Sequence, residues 1–188
     1  MINPSAGSNL IVIVRHVTLH ETHNIRIIAL LLLTTILVQA ILAIFISGIL
    51  YGFSDFIMRA LNNLSSKNAV AAMQNINVTV YRSAFMGIFI SLIPITAVTT
   101  IWSIAALGWM NSLFVIIGTL FYIFGMFMVT AIGNVPLNES LKRMDANYQE
   151  MEAAWKTYYT RWKKLNTLRC VFGMLAGVSW IFAVYANI

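Results

Sequence analysis

The polar side chains that could do chemistry lie next to the apolar segments of this sequence rather than inside them. They are amides, one carboxylate and one guanidinium, at Asp55, Asn75, Asn77, Asn134, Asn138, Asn166 and Arg169. A buried group of this kind costs free energy unless it is paired. The order of the apolar segments places all of these groups at the same end of the predicted helices, so we expect a hydrogen-bonded network there. The sequence leaves open whether that network caps helix ends or binds a ligand.

The aromatic residues Trp155, Tyr158 and Trp162 belong to an apolar series with steps of three and four residues. The series extends over residues 141–165 and predicts one amphipathic helix of about seven turns. No Gly or Pro interrupts residues 138–172, which predicts that this helix continues into the last apolar segment. The aromatic stripe either packs against the end of a helical bundle or lines an aromatic pocket, and the two alternatives are compatible.

The apolar segments that must position these side chains dominate the composition. Hydrophobic residues make up 60% of the 188 residues and charged residues only 10%, whereas a soluble domain carries about a quarter charged residues. Three stretches carry no charge at all, at residues 27–54, 83–138 and 170–188. A membrane helix needs about 20 apolar residues. The predicted spans are therefore 27–50, 85–107, 112–132 and 169–187.

These elements predict an all-α fold, a four-helix transmembrane bundle whose fourth span continues a long amphipathic cytoplasmic helix. Asn138, after Pro136, is the predicted N-cap of that helix. Two shorter apolar stripes between the first two spans predict two short helices that cap the bundle. We expect residues 1–26 to form an extracytoplasmic extension and residues 27–188 to form the membrane domain. A turn is predicted at residues 108–111.

The basic residues predict how the bundle is oriented. Four spans place both termini on one side of the membrane, and that side carries Arg15 and Arg26. The other ten Lys and Arg residues of the twelve flank the opposite ends of the spans. The positive-inside rule therefore places both long loops in the cytoplasm and both termini outside, and we expect a bacterial inner membrane. This explains the net charge of +6 without a nucleic-acid partner.

Several kinds of cofactor site lack the residues that they need. The predicted spans contain no histidine, which argues against a membrane haem and against a di-iron site. A single cysteine excludes a multi-cysteine metal site. His16, His20 and His23 are close in sequence, but the β-branched run at 9–16 favours an extended polar segment over a helical metal site. We therefore expect no metal and no cofactor.

Four sequence elements resemble the anthrone oxygenase-like family of small four-span membrane proteins, most of which are classed only as a domain of unknown function. The elements are Gly52–Leu61, Ala71–Asn77, Gly133-Asn-Val-Pro-Leu-Asn138, and the series Trp155, Tyr158, Trp162, Asn166, Arg169. The resemblance covers roughly residues 30–187. It implies that O₂ oxidises an anthrone, a polycyclic phenolic ketone, to its anthraquinone. Removing the acidic ring proton would give a carbanion that reacts with O₂ directly.

The resemblance also implies roles for residues, because this reaction needs a base, a group that stabilises an oxyanion and a dry aromatic pocket. Asp55 is the candidate base, assigned by elimination rather than from a family motif. Many bacterial members have Trp-Asn-His where this chain has Leu165-Asn166-Thr167. Arg169, with Asn134 and Asn166, would stabilise the oxyanion. The other predicted ligand-binding residues are Asn75, Asn77, Asn138, Trp155, Tyr158 and Trp162.

The alternative is a non-catalytic membrane protein, either an accessory subunit of a membrane complex or a binder of lipid or quinone. The missing histidine and the absence of any cofactor motif favour this alternative. The converging Asn and Arg residues and the resemblance favour the oxygenase. In either case the expected partners are the lipid bilayer, a hydrophobic aromatic or quinone-like small molecule, and other membrane proteins or further copies of the chain.

Overall fold

The computed structural model describes the backbone of residues 5–145 and 150–188, and their side chains from residue 23 onward. Nearly all of these residues are helical, and the described part of the chain contains no strand, as predicted. The elements in chain order are α1 (Ser5–Gly52), a π-helical turn (Phe53–Ile57), α2 (Met58–Asn62), α3 (Ser66–Val80), α4 (Ala84–Leu107), α5 (Leu113–Leu120), two π-helical segments (Phe121–Met128 and Thr130–Asn134), α6 (Val135–Lys142) and α7 (Met151–Ala186).

Four helical stretches of the described chain are long and apolar enough to cross a membrane. They are His23–Asn62, Ala84–Leu107, Leu113–Lys142 and Met151–Ala186. The shortest has 24 residues, which is about 36 Å of helix and exceeds the hydrocarbon core of about 30 Å. Large apolar side chains such as Ile101 and Phe124 are exposed on their outer faces, as contact with lipid requires. The protein is an integral membrane protein, and the predicted four-helix bundle is confirmed.

The fourth span lies along the first, with small residues at the contact. The Cys170 thiol is 3.2 Å from the carbonyl oxygen of Ser47. A β-carbon on Gly177 would lie 2.5 Å from the side chain of Ile44 and 3.1 Å from the carbonyl oxygen of Ala40. Helices that approach this closely in a membrane need glycine at the interface. These contacts therefore fix the register of α7 against α1.

The second and third spans are joined at one end of the bundle by the predicted turn. Gly108 ends α4 with a φ of 82°, which glycine adopts readily. The Ser103 hydroxyl donates to that of Ser112 at 2.8 Å, and Nδ2 of Asn187 donates to the carbonyl oxygen of Asn111 at 3.1 Å. We call this the turn end. The opposite end, built by α2, α3, α6 and the start of α7, is the basic end.

An apolar cluster covers the basic end and is distinct from the core between the spans. Its buried members are Met58, Leu61, Ala69, Val70, Met73, Leu141, Trp155, Tyr158 and Trp162. Gln74 of α3 donates through Nε2 to the carbonyl oxygens of Leu141 and Met144, at 2.9 and 3.0 Å. The Gln74 side chain therefore holds α3 against the end of α6.

The long amphipathic helix begins later than predicted. α7 runs unbroken from Met151 into the fourth span, which confirms the predicted continuity. The prediction of a single helix from residue 138 is wrong, because α6 ends at Lys142 and the chain turns before Met151. Tyr148, which the sequence places in the stripe, lies outside the described residues.

The reason for this difference is that the third span passes through the segment predicted to end it. Pro136 lies inside the helical stretch Leu113–Lys142, directly after the π-helical segment Thr130–Asn134, and such local π adjustments accommodate a proline within a membrane helix. The third and fourth spans are antiparallel, so the chain must reverse between them, and it does so after α6. Asn138 consequently lies inside α6 and is not the N-cap of a helix.

Helix also extends further than predicted at both ends of the first span. The π-helical turn and α2 continue α1 at one end, so the first predicted short helix is not separate, whereas α3 is. At the other end, the extended segment predicted at 9–16 is wrong, because α1 begins at Ser5. Lengthening an existing helix needs no new nucleus, and β-branched residues weaken it only slightly. His23 is exposed; the side chains of His16 and His20 lie outside the description. The division at residue 26 stays a prediction.

Candidate functional site

A cavity of about 330 Å³ lies inside the basic end of the bundle. Its wall comes from α1, α3, α4, the third span and α7, and much of that wall is apolar, with Phe53, Phe85, Phe89 and Phe127 as large contributors. The polar side chains and the indole in the wall include Asn77, Thr130, Asn134, Asn138, Trp162 and Arg169. The volume is at the lower end of the range of about 300–1,000 Å³ that is usual for small-molecule sites.

Arg169 brings a positive charge to this apolar wall. Its Nε and Nη2 donate to Oδ1 of Asn166 at 3.0 and 2.7 Å, and its Nη1 donates to Oγ1 of Thr130 at 3.3 Å. The guanidinium carbon lies 5.4 Å from the ring centroid of Trp162, close enough for a cation–π interaction. Within the described chain, no carboxylate lies at ion-pair distance from Arg169.

The surroundings of Arg169 determine what it can bind. Neutral oxygens and a π face replace only part of the hydration that a guanidinium loses on burial, and an unpaired cation at membrane depth is costly. A negatively charged or electron-rich oxygen in the cavity would supply the missing interaction. The site is therefore suited to a ligand with an apolar body and an oxyanion or carbonyl group.

Asn166 has no hydrogen-bonding capacity left for a ligand. Its Oδ1 accepts two N–H groups from Arg169, and its Nδ2 donates to the carbonyl oxygen of Leu50 at 2.6 Å and to Oγ of Ser54 at 2.7 Å. The side chain is fully buried. Asn166 therefore orients the guanidinium and ties α7 to the first span, as a predicted member of the site that acts through Arg169.

Asn134 and Asn77 each keep one unpaired buried atom. Nδ2 of Asn134 donates to the carbonyl oxygen of Trp162 at 3.3 Å, which fixes the orientation of the amide because a carbonyl only accepts. Oδ1 of Asn134 is then buried without a partner among the described residues. Nδ2 of Asn77 is also buried and makes no hydrogen bond of normal geometry there, although its amide lies near the Tyr158 hydroxyl. Both residues lie in the wall of the cavity. The cavity therefore offers a ligand or a water molecule one acceptor and one donor besides Arg169.

The aromatic stripe serves both of the purposes that the sequence left open. Trp155 and Tyr158 stack with ring centroids 5.7 Å apart, and Tyr158 and Trp162 with centroids 6.4 Å apart. Trp155 packs in the apolar cluster of the basic end, where its Nε1 donates to Oδ1 of Asn62 at 3.0 Å. Trp162, at the other end of the stack, lies in the wall of the cavity.

Asn138 joins this stack to the cavity. The Tyr158 hydroxyl and Nε1 of Trp162 each donate to Oδ1 of Asn138 at 2.9 Å. An indole N–H can only donate, so the amide oxygen must face it. The amide nitrogen of Asn138 is thereby turned away from both rings, and Asn138 also lines the cavity.

More than half of the chain matches one protein family. The sequence model of that family, described as anthrone oxygenase, matches residues 78–179 of the 188. The chain belongs to the anthrone oxygenase family. The matched stretch contains Asn134, Trp162, Asn166 and Arg169, so the guanidinium and the amides around it belong to the part of the chain that carries the family's sequence pattern. Neither a curated protein nor a solved structure shows significant similarity to the chain.

Five predicted site residues of this family member do not line the cavity: Trp155, Tyr158 and Asn166 are buried, whereas Asp55 and Asn75 are exposed. Asp55 forms an exposed ion pair with Arg59, in which Nη2 and Oδ1 are 3.1 Å apart, and it is not part of the cavity wall. Asn75 is exposed, and its Nδ2 donates to the carbonyl oxygen of Ala71 in its own helix. Arg169 pairs with the amide oxygen of Asn166 and not with a carboxylate of the described chain.

Two polar residues that support the site were missed in the sequence. Thr130 precedes Asn134 by four residues and therefore shares its helix face. This spacing could have identified Thr130 as a neighbour of the site. Ser54 directly precedes Asp55, and the charge of Asp55 made that residue the more obvious candidate for a site residue. Phe85 and Phe89 also share a helix face, but aromatic residues are too frequent in these spans to single out that pair.

The described residues do not provide a set of ligands for a metal ion. No group of three or more His, Cys, Asp or Glu residues among them could hold one. The wall of the cavity, in the same part of the chain, contains neither carboxylate nor imidazole. What the wall can do is enclose an apolar ring system, stabilise a negatively charged oxygen and exchange one or two hydrogen bonds with polar substituents.

Proposed function

We propose that this member of the anthrone oxygenase family binds a polycyclic phenolic ketone of the anthrone type in the cavity and oxidises it with O₂ to the quinone, without a cofactor. The observation that carries the proposal is Arg169, a cation in an apolar wall with no carboxylate partner in the described chain. The enolate oxygen of an ionised anthrone supplies the missing negative charge. The fused rings fill the space between the phenylalanine side chains.

Each residue around the guanidinium has a separate part in this proposal. Arg169 stabilises the oxyanion as its charge develops, which is worth most in a site that excludes water. Asn166 and Thr130 hold the guanidinium in place through the hydrogen bonds described above. Oδ1 of Asn134 accepts a hydrogen bond from a phenolic hydroxyl group, and the Trp162 ring packs against the ring system.

The reaction balances with O₂ as the sole oxidant. The ring methylene loses a proton, and its electron pair is shared with the ketone oxygen beside Arg169. The carbanion forms a C–O bond to O₂, and protonation gives a hydroperoxide. Loss of the second ring proton then breaks the O–O bond, which leaves a C=O group and releases water. The ring carbon loses four electrons, and O₂ gains four.

The proposal is tested with the purified protein in lipid nanodiscs. We expect it to convert an anthrone to the anthraquinone faster than empty nanodiscs do, with one O₂ consumed for each quinone formed. Arg169→Gln should lower kcat/KM by about 100-fold or more, as loss of one oxyanion-stabilising group does elsewhere. No acceleration by the wild type for any of a panel of hydroxylated anthrones would contradict the proposal.

A second candidate function, the binding of a quinone or lipid without catalysis, is favoured by one observation. The cavity wall in the described chain contains no carboxylate or histidine that could act directly as a base. Under this alternative the protein binds an anthraquinone, Arg169→Gln weakens that binding, and the wild type does not speed O₂ consumption. Oxygen uptake measured beside equilibrium binding distinguishes the two functions.

We also propose that the basic end faces the cytoplasm of a bacterial cell and that both termini are extracytoplasmic. Ten of the twelve Lys and Arg residues flank the basic end, and the positive-inside rule supports this orientation. A reporter that is active only in the cytoplasm should be silent when fused to the C-terminus and active when inserted between α2 and α3. The reverse pattern would invert the orientation.

A further inference from the structure

A second cleft adjoins the cavity and shares part of its wall. This cleft has a volume of about 240 Å³ and is lined by Gln74, Asn77, Val78, Tyr81, Arg82, Asn138, Glu139 and Lys142. Three of these residues, Asn77, Tyr81 and Asn138, also line the main cavity. They form a shared wall between the two spaces. We call the second space the vestibule.

The vestibule differs from the main cavity in the charges that it holds. It contains one carboxylate, that of the half-buried Glu139, and the exposed cations Arg82 and Lys142. In the described chain neither cation lies at ion-pair distance from Glu139. The other titratable group of the vestibule is the Tyr81 hydroxyl. The carboxylate oxygens of Glu139 can therefore accept hydrogen bonds from water.

The shared wall has polar atoms that can hold a water molecule. Nδ2 of Asn77 is buried and makes no hydrogen bond of normal geometry to the described residues, although its amide lies near the Tyr158 hydroxyl. Nδ2 of Asn138 is turned away from Tyr158 and Trp162, because both rings donate to the amide oxygen. A bridging water molecule needs two to four polar partners. The two amides supply donors, and Glu139, which lines the same cleft, supplies an acceptor.

We propose that Glu139 accepts the ring proton of a bound anthrone through a water molecule held between Asn77 and Asn138. This inference rests on the proposed function and supplies the proton acceptor that the main cavity lacks. The ring C–H bond breaks, its electron pair stays on the ring and on the ketone oxygen at Arg169, and the proton passes to the water. That water transfers a proton to the carboxylate of Glu139. O₂ takes no part in this step.

The step is therefore measured without O₂. Under anaerobic conditions in D₂O, the protein in lipid nanodiscs should speed deuterium exchange at the ring methylene of an anthrone, as followed by mass spectrometry. Glu139→Gln should slow the protein-dependent exchange by about 100-fold, within the usual range for general acid–base catalysis. Equilibrium dialysis should show that the variant binds anthrone as the wild type does. Glu139→Asp should retain part of the exchange.

Two further variants separate a proton-transfer role from a structural one. Glu152→Gln is the matched control, because Glu152 is exposed at the start of α7 and outside both spaces; its exchange rate should equal that of the wild type. Asn77→Ala removes an unpaired donor, so we expect it to fold normally and to slow the exchange by about tenfold through loss of the held water.

The outcomes distinguish this inference from the proposed function. Equal exchange by the wild type and Glu139→Gln overturns the inference, and so does a wild type that does not speed exchange at all. Loss of anthrone binding in Glu139→Gln overturns it too, because Glu139 would then act in binding. Fast, Glu139-dependent exchange without O₂ uptake in air would instead keep Glu139 as the acceptor and overturn the oxygenation.

Discussion

The two ends of the bundle are packed in opposite ways. Towards the turn end, Trp180 is fully buried, its Nε1 donates to the carbonyl oxygen of Val115 at 3.1 Å, and a β-carbon on Gly118 would lie 2.5 Å from its ring. In the basic end the same helices enclose a cavity of about 330 Å³, with unpaired atoms on Asn77 and Asn134 in its wall. The fold can therefore pack closely, and the open space is local to the residues that line it.

Within the basic end, polar groups that are fully paired with the protein differ from polar groups that can still bind a ligand. Asn166 uses both atoms of its amide on protein partners, whereas Asn134 leaves its oxygen unpaired. Burial of an unpaired acceptor costs free energy without adding stability to the folded protein. A bound ligand can recover that cost. Substitutions of closely packed or fully paired residues should therefore lower stability more than substitutions of residues that face the cavity.

The largest loss of stability is expected for Trp180→Ala. This ring is fully buried towards the turn end and hydrogen-bonded, so its removal should lower the free energy of unfolding by about 3–5 kcal/mol. Trp162→Ala, which enlarges an existing cavity, should cost less. Thermal and denaturant unfolding in the same lipid would check both variants, and a larger loss for Trp162→Ala would reverse the comparison.

A single methyl group at the contact between the first and fourth spans should also destabilise. Gly177→Ala forces a β-carbon against Ile44 and the carbonyl oxygen of Ala40, and overpacking of this kind costs about 1–3 kcal/mol. Gly48→Ala is the matched control, because nothing lies within 4 Å of its β-carbon position. That variant should be as stable as the wild type or slightly more stable. Equal unfolding midpoints for the two variants would mean that the contact is not tightly packed.

The two asparagines should respond differently to alanine. Asn166→Ala leaves the guanidinium of Arg169 and the carbonyl oxygen of Leu50 without their partner, so we expect a loss of about 1–3 kcal/mol. Asn134→Ala removes the unpaired oxygen and one long hydrogen bond, so its stability should change by less than about 1 kcal/mol. Ligand binding should weaken in both. A larger loss of stability for Asn134→Ala would contradict the division between supporting and ligand-binding amides.

The smallest effect is expected for Asp55→Asn. The ion pair of Asp55 with Arg59 is exposed, and such pairs contribute about 0–1 kcal/mol. Because the carboxylate is outside the cavity, quinone formation and anthrone binding should equal those of the wild type. A loss of turnover by tenfold or more, with binding unchanged, would restore Asp55 as the base.

The sequence predicted the four membrane helices because a charge-free segment of this length has few alternatives to crossing a membrane. It also predicted that amides and Arg169 meet at one end, because that end follows from the topology of four spans. It did not predict where the third span ends. Pro136 and Asn138 resemble a stop and a cap, but a π-helical segment just before Pro136 lets the helix continue, and side-chain contacts such as those of Gln74 hold α6 in place.

Within the site, the sequence showed which residues lie near the bundle end but not which side chains point into the bundle. Asp55 and Ser54 are neighbours, but on a helix adjacent side chains point in different directions. Ser54 consequently contacts Asn166, whereas Asp55 faces outward to Arg59. The unpaired atoms of Asn77 and Asn134 depend on packing between distant segments, and no local sequence signal reports them.

The most direct test of the central claim is the melting temperature of Arg169→Gln in lipid, with and without an anthraquinone. If Arg169 faces a ligand, the ligand-free variant should lose no more than about 1–3 kcal/mol, because removal of a half-buried cation that lacks a carboxylate partner offsets the hydrogen bonds that Asn166 and Thr130 lose. The ligand should stabilise the wild type by about 2.7 kcal/mol at 100 times its Kd, and the variant much less. A ligand-free variant destabilised by about 3–5 kcal/mol, as expected for a broken buried pair, would contradict the account and make Arg169 a structural clamp.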